Sequence, residues 1–459
     1  MFNMKSLNAD TALSKQCRWS NILKPLIFLA IPTIIEEILS TLLQYVDTAM
    51  VGHLGEKATA AVSVTTTVTW LVNSIPYAIG IGSIALISQA FGARDKENLQ
   101  SYSKAVFALS VATGTVLGIV SVSLSPFIPL WMGAGEDVAQ DASAYFFIIS
   151  VPMMFRTFVI VLGSAIRAVA DTRTPMVITM VENILNAVLN YILIYIAGLG
   201  VIGAAIGSAI SYVVSGILML FVFFRNKEIG FSFGGGVYRQ KILFVVRQSI
   251  PVLGAHVSSC LAYVVFARLV SGMGTTIFAA HSIAITAETL FYIPGYGLKT
   301  ACSTLVGISI GERNEQKFKS VCAMSILVTM LLMFFTGALL YFVSQPLMNL
   351  MTSSKEVADL GARMLRLVAF SEPFFGLMIV SEGILYGQGR TKTPFVGELV
   401  TMWGIRVLFT FLCTSVWNLD LQAVWYCMIA CNVAKAIFFT VPLFGIKRSW
   451  QKLMEPKID

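Results

Sequence analysis

Asp47 is the side chain in this sequence best placed to do chemistry. It closes the segment Gln44-Tyr45-Val46-Asp47 inside a long apolar stretch, with Pro32 fifteen residues before it. Ionisable groups in such stretches are costly and are functional candidates by default. A proline within a helix frees a carbonyl and permits a bend. An acid beyond that bend can bind a proton or a sodium ion, and its charge can bias the bend. The plainer role is an acid near the outer helix end, in contact with water. Asn183, Asn186 and Asn190 recur at spacings of three and four, so they share one helical face. Three amides are unfavourable in lipid and should face other helices, as partners of an ion or as interhelical hydrogen bonds. Ser208 adds a hydroxyl. A carboxylate, amide oxygens and a hydroxyl suit a proton or a hard cation.

The second half holds Arg268, Glu288, Lys299, Glu372, Glu382, Arg406 and Lys435, and Glu36 and Glu37 join them from the first apolar stretch. Acid–base pairing within a bundle is the plain account of this set. The sharper expectation is a substrate cavity lined by Gln44, Asn183, Glu288 and Glu372, with Glu288 on a cationic substrate. His256 is expected to pack with a hydrogen bond. His53 and His281, near the ends of apolar stretches, are expected to be exposed or capping. Cys427 and Cys431 lie four apart, but no other ligand is near, so apolar packing is expected rather than metal.

The elements that must position these groups are membrane spans. Hydrophobic residues make up 56% of the 459 and charged residues 12%, with mean hydropathy +0.79. Soluble domains carry about twice that charge. Twelve spans are expected, roughly 24–50, 60–91, 102–124, 141–166, 176–197, 201–224, 246–270, 277–310, 320–344, 358–388, 395–417 and 422–445. Several exceed the length needed, which implies tilt or extension beyond the bilayer. The spans fall into two copies. Ile31-Pro32, Gly55, Ala60-Ala61-x-Ser63, Gly92-x-Arg94 and Thr172-x-Thr174-Pro175 recur 219 positions later as Ile250-Pro251, Gly274, Ala279-Ala280-x-Ser282, Gly311-x-Arg313 and Thr391-x-Thr393-Pro394. Six spans per copy make the repeats parallel, as in transporters whose two bundles rock around a central site. The fold expected is all-α integral membrane: twelve helices in two parallel six-helix repeats. The parts are an N-terminal segment 1–23, a first lobe 24–224, a linker 225–245, a second lobe 246–445 and a tail 446–459. Asp47 has Phe266 as its repeat partner, so the scaffold is duplicated and the acid is not.

The net charge of +8 does not point to nucleic acid. Lys and Arg collect in alternate connections, which places both termini and the linker on the cytoplasmic side of the cell membrane. No cleavable signal is expected before the first span. Gly234-Gly235-Gly236 lacks a following GK[ST], so it reads as a flexible linker and not a phosphate loop. Without an ATP-binding sequence, the driving energy must come from an ion gradient. The Thr-x-Thr-Pro segments suit helix starts.

Taken in order, five segments give the chain a specific resemblance. They are Pro32 with Val46-Asp47-Thr48-Ala49-Met50-Val51-Gly52, then Gln89-Ala90-Phe91-Gly92-Ala93-Arg94, Thr172-Arg173-Thr174-Pro175, Asn186-Ala187-Val188-Leu189-Asn190 and Ala279-Ala280-His281-Ser282-Ile283-Ala284. From Leu23 to Phe444 the sequence resembles the multidrug and toxic compound extrusion family, MATE. The resemblance implies a two-lobed exporter of organic cations and other amphiphilic drugs, driven by protons or sodium and needing no cofactor. Asp47 matches the family's coupling acid on the first helix. Asn186 and Asn190 match two polar positions of the fifth, the second of which is Asp in some archaeal members. Ser208 matches a hydroxyl position on the sixth. The acids of the NorM branch would fall near Ser259 and Phe375, neither acidic, although Glu288 and Glu372 lie within about a turn of family acidic positions. The pattern therefore resembles the DinF-like branch more than NorM. The expectation is a monomeric antiporter in contact with membrane lipids, with small cationic substrates. A lipid-linked oligosaccharide flippase of the same superfamily is the alternative, kept by Lys299, Arg268 and Arg406. A membrane-bound lipid-modifying enzyme is the alternative of another class, but no histidine box or HExxH supports it.

Overall fold

Long apolar segments free of mid-segment turn signals fold as the expected spans. A computed structural model describes residues 19–232, 234, 239–444 and 450. The segment before Trp19, most of the tail, and Gly235 and Gly236 of the linker lie outside the described residues. Span 1 is Trp19–Gly52, span 2 Glu56–Gly92 and span 3 Lys96–Leu124. Span 4 is broken into Glu136–Ser150 and Met153–Ala168, bent by 52°. Span 5 is Arg173–Tyr191 continued by a π-helical turn Ile192–Ile196, and span 6 is Gly200–Arg225. Spans 7, 8 and 9 are Arg239–Ser271, Thr275–Gly311 and Glu315–Met351. Span 10 is broken into Lys355–Ala369 and Glu372–Gly387, bent by 58°. Span 11 begins at Lys392–Thr401 and includes π-helical stretches Met402–Val407 and Leu412–Val416; span 12 is Leu421–Phe444. Among the described residues, ten helices, plus the two bent pairs, are long and apolar enough to cross a membrane.

The duplication is visible in the backbone. Gly55 and Gly274 open spans 2 and 8 with φ of 106° and 120°. Arg94 and Arg313 both take left-handed φ, at 55° and 54°, after spans 2 and 8. Asp95 and Asn314 then cap spans 3 and 9 by accepting from the backbone N–H three residues on. The bends of spans 4 and 10 fall at Ser150-x-Pro152 and Ser371-x-Pro373, where the offset is 221. The offset returns to 219 at the left-handed Ala170 and Gly389 and becomes 220 at Gly198 and Asn418. The π-helical stretch Met402–Val407 accounts for that step, because a π turn inserts one residue into a helix.

Spans 1 and 7 belong to both bundles. Ile22, Leu26, Leu29 and Ala30 of span 1 lie in an apolar core with spans 8, 9, 10 and 12. Val245 of span 7 lies in the reciprocal core with spans 2 to 6. Span 1 packs along span 8 and span 2 along span 7. Beyond Pro32, span 1 turns its polar face to span 5. Pro32 and Pro251 sit at these changeovers, within otherwise continuous helices.

Candidate ion-coupling site

Spans 1 and 5 run parallel in one register. Glu36 accepts from Thr179 (3.0 Å), Ser40 from Asn183 (3.2 Å) and Asp47 from Asn190 (3.0 Å), each pair 143 residues apart. Positions 36, 40 and 47 share a helix face, as do 179, 183, 186 and 190. The asparagine face expected from sequence is therefore the inner edge of a polar ladder.

At the far end of that ladder the groups converge on Asp47. The Asn186 amide is assigned from its surroundings. Its nitrogen donates to Asp47 Oδ2 (2.7 Å) and Oδ1 (3.0 Å), and its oxygen accepts from Ser208 (2.9 Å). Asn186, Asn190 and Ser208 are buried, and Asp47 is half-buried. The small-residue face of span 6 permits the approach. A Cβ on Gly207 would lie 2.2 Å from Asn190 Oδ1, and that oxygen is buried with no donor. Such an orphan acceptor beside a carboxylate requires a partner. Among the described residues no Lys or Arg pairs with Asp47. Its protein partners are neutral.

Three other acids in the spans are neutralised by fixed cations. Glu36 is paired with Arg167. Glu382 holds Lys299 at 2.8 Å, and Glu398 holds Lys435 at 2.7 Å while accepting from Ser259. The pairing expected for the second lobe thus exists for Lys299 and Lys435. Glu398, which the sequence reading passed over, is a central member. Its signal in the sequence is an acid inside the expected span 395–417; in the structure it faces span 7 at Ser259.

Gln44, Asn183, Glu288 and Glu372 are not brought together. Gln44 is exposed, and Asn183 is bound to Ser40. Glu288 and Glu372 are buried deep in the second lobe, within electrostatic reach of each other, and Arg406 reaches Glu288. The second lobe carries a different structure at the position matching Asp47. Phe266 replaces the acid, and the buried Arg406 stacks over it at 4.7 Å and over Tyr263 at 4.9 Å. His281 is not exposed as expected: it is buried between the rings of Phe266 and Trp425. The apolar core of the second lobe closes over the start of span 8, which is why a position near the helix end is covered. Cys427 faces Cys413, with sulfurs 3.8 Å apart. Among the described residues no group of His, Cys, Asp and Glu could hold a metal ion. A cavity of about 680 Å³ lies between the end of span 3 and the first part of span 4, lined by Ser125, Leu130, Gln140 and Phe147, away from Asp47.

The MatE family model matches residues 32–192 and 251–412, one copy in each half of the fold. The chain belongs to the MatE family. MatE proteins are secondary transporters, not enzymes, and they work on ion gradients rather than a cofactor. The chain is 26% identical to the probable multidrug resistance protein NorM of Thermotoga maritima over 438 residues, 94% of each chain. Its fold matches an outward-facing multidrug resistance MATE family transporter of the MOP superfamily, with TM-score 0.88, 22% identity and coverage of 94% and 97%. A MOP superfamily transporter from Pyrococcus furiosus, described as having a binding pocket of reversed polarity, matches with TM-score 0.86 at 22% identity and the same coverage.

Proposed function

We propose that the protein is a monomeric antiporter of the cell membrane that exports amphipathic, cationic compounds in exchange for protons or sodium ions. One observation carries this reading: Asp47 is a carboxylate in a membrane span whose partners, Asn186 and Asn190, are neutral, with Ser208 bonded in turn to Asn186. A charge in that position is balanced by an exchangeable cation rather than by a fixed one. The unpartnered Asn190 oxygen fits the same role. Coupling through the first lobe alone follows the DinF-like pattern, since Phe266 stands where the second lobe would repeat the acid. Both termini and the linker are assigned to the cytoplasm by their basic residues. The two lobes are residues 24–224 and 246–445, joined by the linker.

Uptake of a proton or sodium ion removes the uncompensated charge and changes the preferred geometry of span 1 beyond Pro32. The first half of span 1 is held in the second lobe's core and the far half on span 5. A change at Asp47 is thereby felt as a change in the relation of the lobes. An ion shifts that equilibrium only through its difference in affinity for the two states. The flippase alternative is weakened by the engagement of Lys299 with Glu382 and of Arg406 with aromatic rings.

Purified protein in liposomes, with proton and sodium gradients imposed separately, tests the reading. One of the two gradients should drive transport of a fluorescent cation. Asp47→Asn, which resembles the protonated form permanently, should abolish gradient-driven transport while leaving the protein folded. Unimpaired transport by Asp47→Asn would overturn the assignment and direct attention to Glu288 and Glu372.

A further inference from the structure

We infer that Arg406 is a built-in counter-ion of the second lobe: its guanidinium stands where the first lobe takes up the coupling ion, and it limits transport to one ion per substrate. This rests on the reading of Asp47 as the exchange site. The duplication supplies the first argument. Phe266 is the repeat partner of Asp47, and Tyr263 that of Gln44, at the offset of 219. Arg406 lies near the end of the π-helical stretch Met402–Val407, past which the offset is 220, and on that count its partner is Asn186. The contacts agree. In the first lobe Asn186 donates to Asp47; in the second, Arg406 packs over the Phe266 ring at 4.7 Å and donates to the Tyr263 hydroxyl (3.3 Å). The same two helix positions meet in both lobes. One lobe puts a neutral amide on an acid there, the other a permanent cation on a ring.

The charges around Arg406 supply the second argument. Among the described residues the buried cations are Lys435 and Arg406, and Lys435 is held by Glu398. Glu288 of span 8 and Glu372 of span 10 are 7% and 1% exposed. Arg406 reaches Glu288, and Glu288 reaches Glu372. The other titratable groups facing this cluster are His281 and Tyr292 of span 8 and Tyr263 of span 7. Spans 9 and 12 meet it with Gly337 and Trp425, which carry no charge. Two acids sharing a site do not both ionise, so the pair keeps one proton between them. The remaining negative charge answers the guanidinium, and the cluster is neutral with no ion from outside. Asp47, by contrast, is half-buried and has no fixed cation among the described residues. Without Arg406 the second lobe would hold what the first holds, a membrane carboxylate balanced only by an exchangeable cation.

Counting ions per substrate tests this. In liposomes with the membrane potential clamped at zero, the ethidium gradient that just stops net flux against a set gradient of the driving ion gives that number. For wild type, the ion gradient should balance an equal ethidium gradient. For Arg406→Met, whose acids take up a second exchangeable ion, it should balance the square of that gradient. Arg406→Lys keeps the charge and should behave as wild type. A merely structural role for Arg406 would change yield or rate but not this balance. Glu372→Gln resembles the protonated acid and leaves Glu288 opposite Arg406, so it too should keep the wild-type balance; it decides the matter where Arg406→Met gives no transport. A squared balance in wild type, a wild-type balance in Arg406→Met, or an altered one in Glu372→Gln overturns this role of Arg406 and leaves the exporter reading standing. Wild-type protein whose ethidium flux follows neither a proton nor a sodium gradient overturns the exporter reading, and this role with it.

Discussion

Among the membrane carboxylates, partner chemistry separates structural roles from functional ones. Glu398 is fixed by Lys435 and Ser259, whereas Asp47 meets only neutral groups. Lys435 is only 6% exposed, so Glu398→Gln would leave a buried ammonium without its counter-charge. Breaking such a pair from one side costs about 3–5 kcal/mol. Glu398→Gln should therefore lower the melting temperature of the purified protein sharply, and Glu398→Gln with Lys435→Met should recover much of the loss. No recovery in the double variant would show that Glu398 acts through something other than Lys435. Residue spacing made the cluster around Asp47 legible, because 183, 186 and 190 advertise one face and an isolated acid stands out in apolar sequence. It did not separate Glu36 from its neighbour Glu37. Adjacent helix positions point about 100° apart, and only the packed structure shows that Glu36 pairs with Arg167 while Glu37 has no hydrogen bond or ion pair among the described residues.

At the level of elements, hydropathy was enough to place twelve spans, and the structure begins and ends them within seven residues of the expected bounds, the largest differences being the earlier start of span 7 and the later end of span 9. Hydropathy could not show the breaks in spans 4 and 10 or the π-helical turns in spans 5 and 11. These are changes of backbone register inside apolar sequence, and they leave composition untouched. The caps are more local and were readable in principle. Asp95 accepts from the N–H and the side chain of Asn98, and these bonds hold its carboxyl below the usual carboxylate range. Asn314 makes the equivalent bond to Lys317 without a charge. Alanine at either position should destabilise its span by about 1 kcal/mol. The two should differ with pH. A depressed acid contributes fully above its unfolded value of about 3.9 and loses that contribution as pH falls through the folded value. The deficit of Asp95→Ala relative to wild type should thus be constant near neutrality and shrink below about pH 4, while that of Asn314→Ala should not change. Thermal melts across pH check this, and parallel curves for the two variants would refute it.

For the whole molecule, the repeat does more than double the helix count. It brings equivalent parts of the two lobes face to face. A Cβ on Gly92 would lie 2.2 Å from the Ile308 carbonyl, and one on Gly311 would lie 2.0 Å from the Gln89 carbonyl. Gln89 and Ile308 are themselves repeat partners, so the two contacts are one contact seen from either lobe. The glycines were visible in sequence as members of Gly-x-Arg, but their use was not, because a close approach between lobes depends on packing that no local pattern encodes. Both end their helices with ordinary backbone geometry, and alanine is excluded only by the facing carbonyl. Gly92→Ala or Gly311→Ala must therefore push spans 2 and 8 apart at the ends nearest the linker. If transport is a rocking of lobes, this penalises the state in which those ends touch and shifts the population toward the opposite one. Spin labels at Lys96→Cys and Glu315→Cys, which start spans 3 and 9 at repeat-related positions, would report it by pulsed dipolar spectroscopy. Either glycine variant should move the distance distribution to longer values and slow export, the double variant more than each alone. An unchanged distribution in both single variants would mean that spans 2 and 8 absorb the methyl groups locally, and that the contact does not set the balance between lobe arrangements.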